Sequence, residues 1–276
     1  MKQLLLILFL FTFNISSLSA QIIWSAEPTK SAQVSDFFKR LDTGNYPQDY
    51  CVSRGDEKGV PSSSAKIAQD PELGSIWKIH KPLNRKRAEF ARFEGTVNAL
   101  SPKEGDDLYI SWQWKIDTLD GAKIDKEITV FQWKSASPHH QNYPLNLEYD
   151  GELTLNAFGA NYKGKVSQSA RRTVLWRKAV PQGEWVSFIV RIKVDKNDFG
   201  GIVQFWFNGV QQALDNKQSK LYQVKLSDDK KTAFHRTNDG KFVYPKWGAY
   251  NKKSCKYAVN TYYHDMKVGT SLDSVM

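Results

Sequence analysis

Apolar and polar residues alternate along most of this chain with a period of two. Residues 109–116 show the pattern clearly, because every second position is isoleucine or tryptophan and the positions between them are mostly polar. A period of two places successive side chains on opposite faces of a β-strand. Strands are therefore predicted over residues 76–80, 88–97, 108–116, 128–134, 145–149, 152–158, 173–180, 185–194, 202–207, 243–250 and 261–268. One short helix is predicted over residues 35–41.

Dipeptides that favour tight turns separate several of these strands. Asp150-Gly151, Gly200-Gly201 and Asn208-Gly209 all tolerate the positive φ angles that short hairpins require. The sequence has no blade-length repeat, which argues against a propeller. About eleven short strands therefore predict an all-β fold: a single-domain β-jelly roll of two antiparallel sheets with a concave groove, spanning residues 21–276.

The first 20 residues have the composition of a secretory signal peptide. A lysine at position 2 precedes an apolar run from Leu4 to Phe13, and small residues lead to Ala20. This run is too short for a membrane span, and no later segment approaches the roughly 20 apolar residues that a span needs. We expect cleavage before Gln21 and a secreted, extracellular or periplasmic protein that has no membrane partner.

The chain is strongly basic. Lys and Arg number 39 against 29 Asp and Glu, which gives a formal net charge of +10. For an exported protein this balance favours an anionic polysaccharide over nucleic acid as the partner, although a solvated basic surface gives the same total. We expect a monomer.

The two cysteines, Cys51 and Cys255, lie near opposite ends of the mature chain. In an oxidising compartment they can form a disulfide, although the sequence does not show the distance between them. Neither has a second cysteine or a histidine at metal-ligand spacing. Residues 195–198 are acidic enough to suggest a structural calcium ion, but they lack the spaced acidic loop that such a site uses.

Three stretches place polar side chains at alternate positions, on one face of a strand whose other face is apolar. These polar residues are Arg85, Arg87 and Glu89 in the first stretch, Gln132 and Lys134 in the second, and Tyr244, Lys246 and Tyr250 in the third. Each stretch alone is also typical of a sheet with one solvated face. If the three strands are neighbours, their polar faces form a groove lined by Arg, Gln, Lys and Tyr.

These residue types suit the β-elimination of a uronic-acid polymer. The reaction removes the proton on C5, next to a carboxylate, and then expels the sugar linked through O4. The carbanion is stabilised only if cations or amide donors are directed at the carboxylate. The reaction also needs a base to take the C5 proton and an acid to protonate O4. When H5 and O4 lie on the same face of the ring, as in glucuronate, a tyrosine can serve as both, provided that nearby cations lower its pKa from about 10.

The same stretches resemble a known family. Residues 87–90, 132–134 and 244–251 are similar to the R-x-E-L, Q-I-H and Y-F-K-x-G-x-Y-N motifs of the jelly-roll polysaccharide lyases, which include alginate lyases. The motifs occur in the family order, and the similarity runs from about Trp77 to Gly269. We expect no organic cofactor, because proton abstraction and expulsion of O4 need none.

Carried over position by position, the resemblance makes Arg87 and Gln132 the groups that neutralise the substrate carboxylate. Tyr250 would be the catalytic acid, and the base would be Tyr250 itself, Lys134 or a histidine. At position 134 the alginate-lyase pattern has a histidine. A lysine there resembles the jelly-roll ulvan lyases, which act on a sulfated polymer of rhamnose and uronic acid. Ulvan is therefore the favoured substrate, with alginate, glucuronan and glycosaminoglycans as alternatives.

Other residues are candidates for substrate binding. Lys246 would be a subsite or supporting cation, and Glu89 would orient Arg87. Tyr244, Arg85 and the loop histidines His139 and His140 complete the set. Arg92 lies one residue beyond the second arginine of the family pattern, and strict alternation directs it to the opposite face unless a bulge intervenes.

Two functions from other classes remain open. Residues 148–152 have the E-x-D-x-E pattern of jelly-roll glycosidases, but we predict a hairpin at Asp150-Gly151 that separates Glu148 from Glu152. The other alternative is a non-catalytic carbohydrate-binding jelly roll that uses the same groove.

Overall fold

The structure, a computed structural model, is built almost entirely from β-strands. It describes residues 20–44, 49–52, 56–161, 171–217, 224–251 and 255–276. The predicted signal peptide, apart from Ala20, lies outside the described residues. No helix in the described ranges is both long enough and apolar enough to cross a membrane.

The described secondary structure includes seventeen strands, one short α-helical turn and the 3₁₀ helices Asp56–Gly59 and Leu272–Ser274. The helical turn, α1, spans Val34–Phe37. The strands are β1 Ile22–Ser25, β2 Arg40–Asp42, β3 Ser64–Asp70, β4 Gly74–Lys81, β5 Arg87–Ala91, β6 Asp107–Thr118, β7 Ile128–Ser135, β8 Leu145–Tyr149, β9 Glu152–Phe158, β10 Arg172–Ala179, β11 Val186–Lys193, β12 Gly201–Phe207, β13 Val210–Gln211, β14 Lys225–Leu226, β15 Ala233–His235, β16 Val243–Tyr250 and β17 Val259–Gly269.

The strands form two antiparallel sheets, as predicted. The larger sheet has the order β14-β15-β12-β11-β6-β17-β4-β3, with β1 paired to β17 and β13 paired to β12. The smaller sheet has the order β10-β9-β8-β7-β16-β5-β2. Strands distant in sequence are neighbours in both sheets, which is the connectivity expected of a jelly roll and confirms the predicted fold class.

Aromatic side chains fill the space between the sheets. Trp112 of the larger sheet stacks on Phe131 of the smaller sheet at 4.8 Å between ring centroids, and Trp247 lies 5.7 Å from Phe131. All three are at most 1% exposed. Burial of one such ring contributes about 1.5–3 kcal/mol before packing effects. The apolar positions of the alternating strands therefore hold the sheets together and leave the polar positions on the outer faces.

Two predicted hairpins are confirmed. Glycines with positive φ angles lie at both turns: Gly151 joins β8 to β9, and Gly209 joins β12 to β13. The predicted helix over residues 35–41 is shorter than expected. It ends at Phe37 because Phe38 turns to an extended conformation and stacks on Phe90 at 4.2 Å, and the chain then pairs with β5 as an edge strand.

A β-bulge interrupts β16 where it passes β7. Their register is regular as far as Trp247 opposite Phe131 and then shifts, so that Tyr250 lies opposite Thr129. Gly248 within the bulge has a φ of 155°, and a Cβ there would lie 2.0 Å from the Ala88 carbonyl oxygen. A glycine is therefore required at this close approach of two backbones.

Candidate active site

The three polar stretches of the sequence meet on the outer face of the smaller sheet. β16 lies between β5 and β7, so the register sets their side chains opposite one another. The opposed pairs are Tyr250 with Arg87, Gly248 with Glu89, Lys246 with Gln132, and Tyr244 with Lys134. The structure therefore brings together six of the predicted residues: Arg87, Glu89, Gln132, Lys134, Lys246 and Tyr250.

A buried network of hydrogen bonds and ion pairs supports this face. The Gln132 amide donates to Oε1 of Glu89 at 2.5 Å, and Lys246 Nζ lies 2.7 Å from Oε2 of the same carboxylate. Lys246 Nζ also lies 2.7 Å from Asp42 on the edge strand β2. Glu89 and Lys246 are 1% and 3% exposed, so both of their charges are used within the protein. Glu89 thereby fixes the orientation of the Gln132 amide.

Arg87 lies beside the network and against the aromatic ring of Tyr250. Its guanidinium is 3.2 Å from Asp49, 3.5 Å from Asp42 and 3.8 Å from Glu89. It also stacks 4.3 Å from the centroid of the Tyr250 ring. The three carboxylates position the guanidinium, and the guanidinium in turn positions the phenol ring.

The charges of the network shift the pKa values of its members. Burial would raise the pKa of Asp42, but the Lys246 ammonium and the Arg87 guanidinium outweigh it and lower that pKa to about 2. Burial would lower the pKa of Lys246 and Arg87, but the surrounding carboxylates raise both. All three groups are therefore ionised at neutral pH, which keeps the network intact.

The pKa values of Lys134 and Tyr250 shift in opposite directions in this environment. Burial and the neighbouring cations Lys246 and Arg87 lower the pKa of Lys134 to about 8, against the opposing charges of Glu89 and Asp42. Burial, with Glu89 and Asp49, raises the pKa of Tyr250 although Arg87 opposes the change. The condition under which a tyrosine could also serve as the base, a pKa lowered by nearby cations, is therefore not met by Tyr250, because burial, Glu89 and Asp49 outweigh Arg87. Tyr250 keeps its proton, whereas Lys134 can lose one near pH 8.

The loop after β7 carries the two histidines close to Lys134. Lys134 Nζ donates to Asn142 at 2.9 Å, and burial together with Lys134 lowers the pKa of His139. The Asp239 carboxylate accepts the backbone amides of His140 and Gln141, which fixes the loop. His139 is half-buried and His140 is exposed.

The remaining predicted residues lie at the edges of the cluster. Arg85 precedes β5, stacks 4.1 Å from the Tyr50 ring and donates to the carbonyls of Pro61 and Gly44, so its guanidinium holds neighbouring loops. Arg92 has a φ of 68° directly after β5. This conformation brings its guanidinium over the Tyr244 ring at 4.9 Å.

Sequence reasoning missed three residues of the site. Asp42 and Asp49 come from an edge strand and a loop, where no alternation marks them as functional. Tyr143 lies in the loop after β7, and its phenol is close enough to Tyr250 and Glu148 for their charges to raise its pKa, after the larger effect of burial. The pairing of β2 with β5 brings Asp42 opposite Glu89, and this pairing has no local sequence signal.

The predicted hairpin does not separate the two glutamates of the glycosidase-like pattern. Glu148 and Glu152 both line a cavity of about 220 Å³ on the same face of the smaller sheet. Arg172 lies 3.3 Å from Glu148, and Arg177 lies 3.6 Å from Glu152. The prediction was wrong because both residues occupy outward positions of paired strands, and a tight turn preserves that common face. Each carboxylate is paired with an arginine.

The disulfide between Cys51 and Cys255 is present, with a Cα–Cα distance of 5.9 Å. It joins the segment after Asp49 to the segment that follows Tyr250. The described residues include no group of three or more His, Cys, Asp or Glu side chains that could hold a metal ion. The expectation that no cofactor is required stays a prediction.

Cationic, amide and phenolic groups on an outer sheet face of a jelly roll are the groups expected in a protein that acts on polysaccharides. A protein-family model for polysaccharide lyases matches residues 31–267, which is most of the chain. The chain belongs to the polysaccharide lyase family.

Solved structures share the fold at low sequence identity. An endo-β-1,4-glucuronan lyase from the fungus Trichoderma reesei superposes with a TM-score of 0.58 at 11% identity, over 92% of this chain and 98% of that one. A marine alginate lyase from Aplysia kurodai gives a TM-score of 0.52 at 13% identity, over 91% of this chain and 100% of that one. A search of curated protein sequences gave no significant match.

Proposed function

We propose that this polysaccharide lyase is exported and cleaves a uronic-acid-containing anionic polysaccharide by β-elimination. The observation that carries the proposal is the geometry of the site: the register of three adjacent strands brings Lys134 and Tyr250 to one face, beside Gln132 and Arg87, which a buried network holds. A base that can lose its proton near pH 8 and an acid that keeps its proton are the two groups that the reaction needs.

The first step neutralises the substrate carboxylate. In the proposed complex the carboxylate on C5 accepts hydrogen bonds from the Gln132 amide and the Arg87 guanidinium. Withdrawal of its charge lowers the barrier to forming the carbanion at C5. Glu89 and Lys246 support this step without touching the sugar, because they are buried and orient Gln132.

The second step moves two protons. The uncharged amine of Lys134 takes the proton from C5, and the electron pair left on C5 forms the C4–C5 double bond. The bond between C4 and O4 breaks, and the Tyr250 hydroxyl gives its proton to the departing oxygen. The products are an unsaturated uronate and a new sugar end, and solvent restores the protons of both side chains.

Two polymers are the leading substrates. Ulvan is favoured because the lysine at position 134 resembles the ulvan lyases rather than the alginate-lyase pattern. Glucuronan is the second candidate, because one structural neighbour is named as a β-1,4-glucuronan lyase and superposes over nearly the whole chain. The net charge of +10 is consistent with either anionic polymer.

The decisive experiment incubates the mature protein with ulvan, glucuronan, alginate and a glycosaminoglycan. Ultraviolet absorbance reports the conjugated unsaturated uronate, and a reducing-end assay counts all cleavage. We expect both signals to rise together on one polymer and to be lost in Lys134→Ala and Tyr250→Phe. Reducing ends without absorbance would indicate a hydrolase. Absence of both signals on every polymer would indicate a non-catalytic binding protein.

A further inference from the structure

A row of lysines and aromatic residues crosses the outer face of the larger sheet, on the side of the molecule opposite the candidate active site. The register places Lys66 opposite Lys78, Lys78 opposite Tyr262, and Tyr262 opposite Lys115. Trp185 directly precedes Val186, which lies opposite Trp114, so Trp185 continues the row beside Lys115. We define these five residues as the outer row.

The members of the outer row contact one another. Lys115 Nζ lies 4.6 Å from the Trp185 ring centroid and 5.1 Å from that of Tyr262, and Lys78 Nζ lies 5.4 Å from the Tyr262 ring. The two rings are 6.4 Å apart and inclined at 62°. Each cation–ring contact is within the range in which a lysine is attracted to the face of an aromatic ring.

Acidic residues hold one end of the row in place. Asp70 accepts hydrogen bonds from Lys115 at 2.7 Å and from the Trp185 indole at 3.0 Å. The Tyr262 hydroxyl donates to Asp117 at 2.9 Å. The lysine and both rings thus have fixed orientations, so a ligand that contacts them orders few additional side chains.

The other end of the row carries positive charge that no carboxylate in the described part of the chain pairs. Lys66 and Lys78 form no ion pair with any residue that the structure describes. Lys66 is exposed and Lys78 is half-buried, with Tyr262 between Lys78 and Lys115. Five neighbouring strands at a spacing of about 4.8 Å make the row roughly 19 Å long.

We propose that the outer row is a second, non-catalytic binding site for an anionic polysaccharide chain. The half-exposed rings of Trp185 and Tyr262 suit contact with sugar rings, and Lys66 and Lys78, which have no ion-pair partner among the described residues, suit carboxylate or sulfate groups spaced along the polymer. The occupant is the anionic polymer of the proposed function, on which this inference rests. Binding on this face holds the polymer near the enzyme and leaves the catalytic face free.

The test compares two matched double variants. Lys78→Gln/Trp185→Ala removes one lysine and one ring from the outer row. Lys225→Gln/Phe199→Ala removes another cation–ring pair, with Nζ 4.3 Å from the ring, from outside the row. A second row variant, Lys66→Gln/Lys78→Gln, removes two lysines and keeps Trp185, so that a folding defect caused by the loss of Trp185 is detected separately.

Retardation in native gels containing ulvan or glucuronan measures binding, with uncharged dextran as the reference. We expect both row variants to bind about tenfold more weakly than the wild type and the Lys225→Gln/Phe199→Ala variant to bind normally. KM for the polymer should rise by a similar factor, with kcat unchanged and with the cleavage of short oligosaccharides unchanged.

The outcomes separate this inference from the proposed function. Cleavage of the polymer with equal retardation of all variants would overturn the second site and leave the lyase function standing. Retardation that depends on the row, without cleavage of any polymer, would support the second site and refute the proposed function. Equal weakening in the row variants and the control would also refute the second site, since it would show a general effect of charge.

Discussion

The variant Lys246→Met removes a buried positive charge that two carboxylates share. Methionine keeps most of the length of the side chain but leaves Glu89, which is 1% exposed, and Asp42 without their ammonium partner at 2.7 Å. Breaking one side of a buried ion pair costs about 3–5 kcal/mol. We expect the free energy of unfolding at neutral pH to fall by this amount.

The lowered pKa of Asp42 accounts for part of this expected loss in the free energy of unfolding. Lowering this pKa from 3.8 to about 2, against the effect of burial, corresponds to about 2 kcal/mol of stability, to which Lys246 contributes more than Arg87 and the Gly44 amide. Because the pKa is depressed in the folded state, this contribution is present above the unfolded value of 3.8 and disappears as the pH falls through about 2. The stability difference between wild type and Lys246→Met should therefore shrink over the same range.

Urea unfolding followed by tryptophan fluorescence, from neutral pH to about pH 2, measures both effects. Lys39→Met is the matched control, since Lys39 lies 2.8 Å from Glu94 but is 47% exposed. An exposed pair contributes less than about 1 kcal/mol. Similar losses in the two variants, or a loss in Lys246→Met that stays constant down to pH 2, would refute the buried-network account.

Further predictions concern catalysis and the bulge. If Lys134 is the base, kcat/KM should rise as the pH increases through about 8, because only the uncharged amine accepts a proton; a fall through that range would show that the ammonium form is the active one. Tyr250→Phe should lower kcat by at least about 100-fold with little change in KM, and an unaltered kcat would exclude the phenol as the acid. Gly248→Ala should unfold the protein at a lower temperature and reduce kcat, because its Cβ would lie 2.0 Å from a carbonyl oxygen of β5; unchanged values of both would contradict the bulge. Replacing Cys51 and Cys255 with serine should cost about 2–5 kcal/mol in urea unfolding, and no loss would show that the disulfide does not constrain the unfolded chain.

Alternation in the sequence was sufficient to predict the face on which the main candidates lie. Gln132 and Lys134 share the outer face of β7, while Phe131 and Trp133 are buried in the core. This succeeds because the side-chain period of a strand is fixed by its backbone geometry. The condition that the three motif strands are neighbours, on which the groove depended, is met, since β16 pairs with both β5 and β7.

Features that depend on the pairing of strands distant in sequence could not be predicted from this alternation. Asp42 reaches the site only because β2 pairs with β5, and nothing in the residues around it indicates that pairing. The direction of the Tyr250 pKa shift depends on how burial and two nearby carboxylates compare with one guanidinium and one ammonium group, which a sequence does not show. Arg92 returns to the outer face through a single positive φ angle, although alternation directs it inward.

Proton NMR of the cleavage products tests the central claim most directly. Removal of the C5 proton with loss of O4 converts the new non-reducing end into an unsaturated uronate, which has a vinylic proton on C4. We predict that this signal appears with wild-type protein on ulvan or glucuronan and is absent with Lys134→Ala. Product ends that remain saturated, or a vinylic signal that persists unchanged in Lys134→Ala, would contradict elimination with Lys134 as the base.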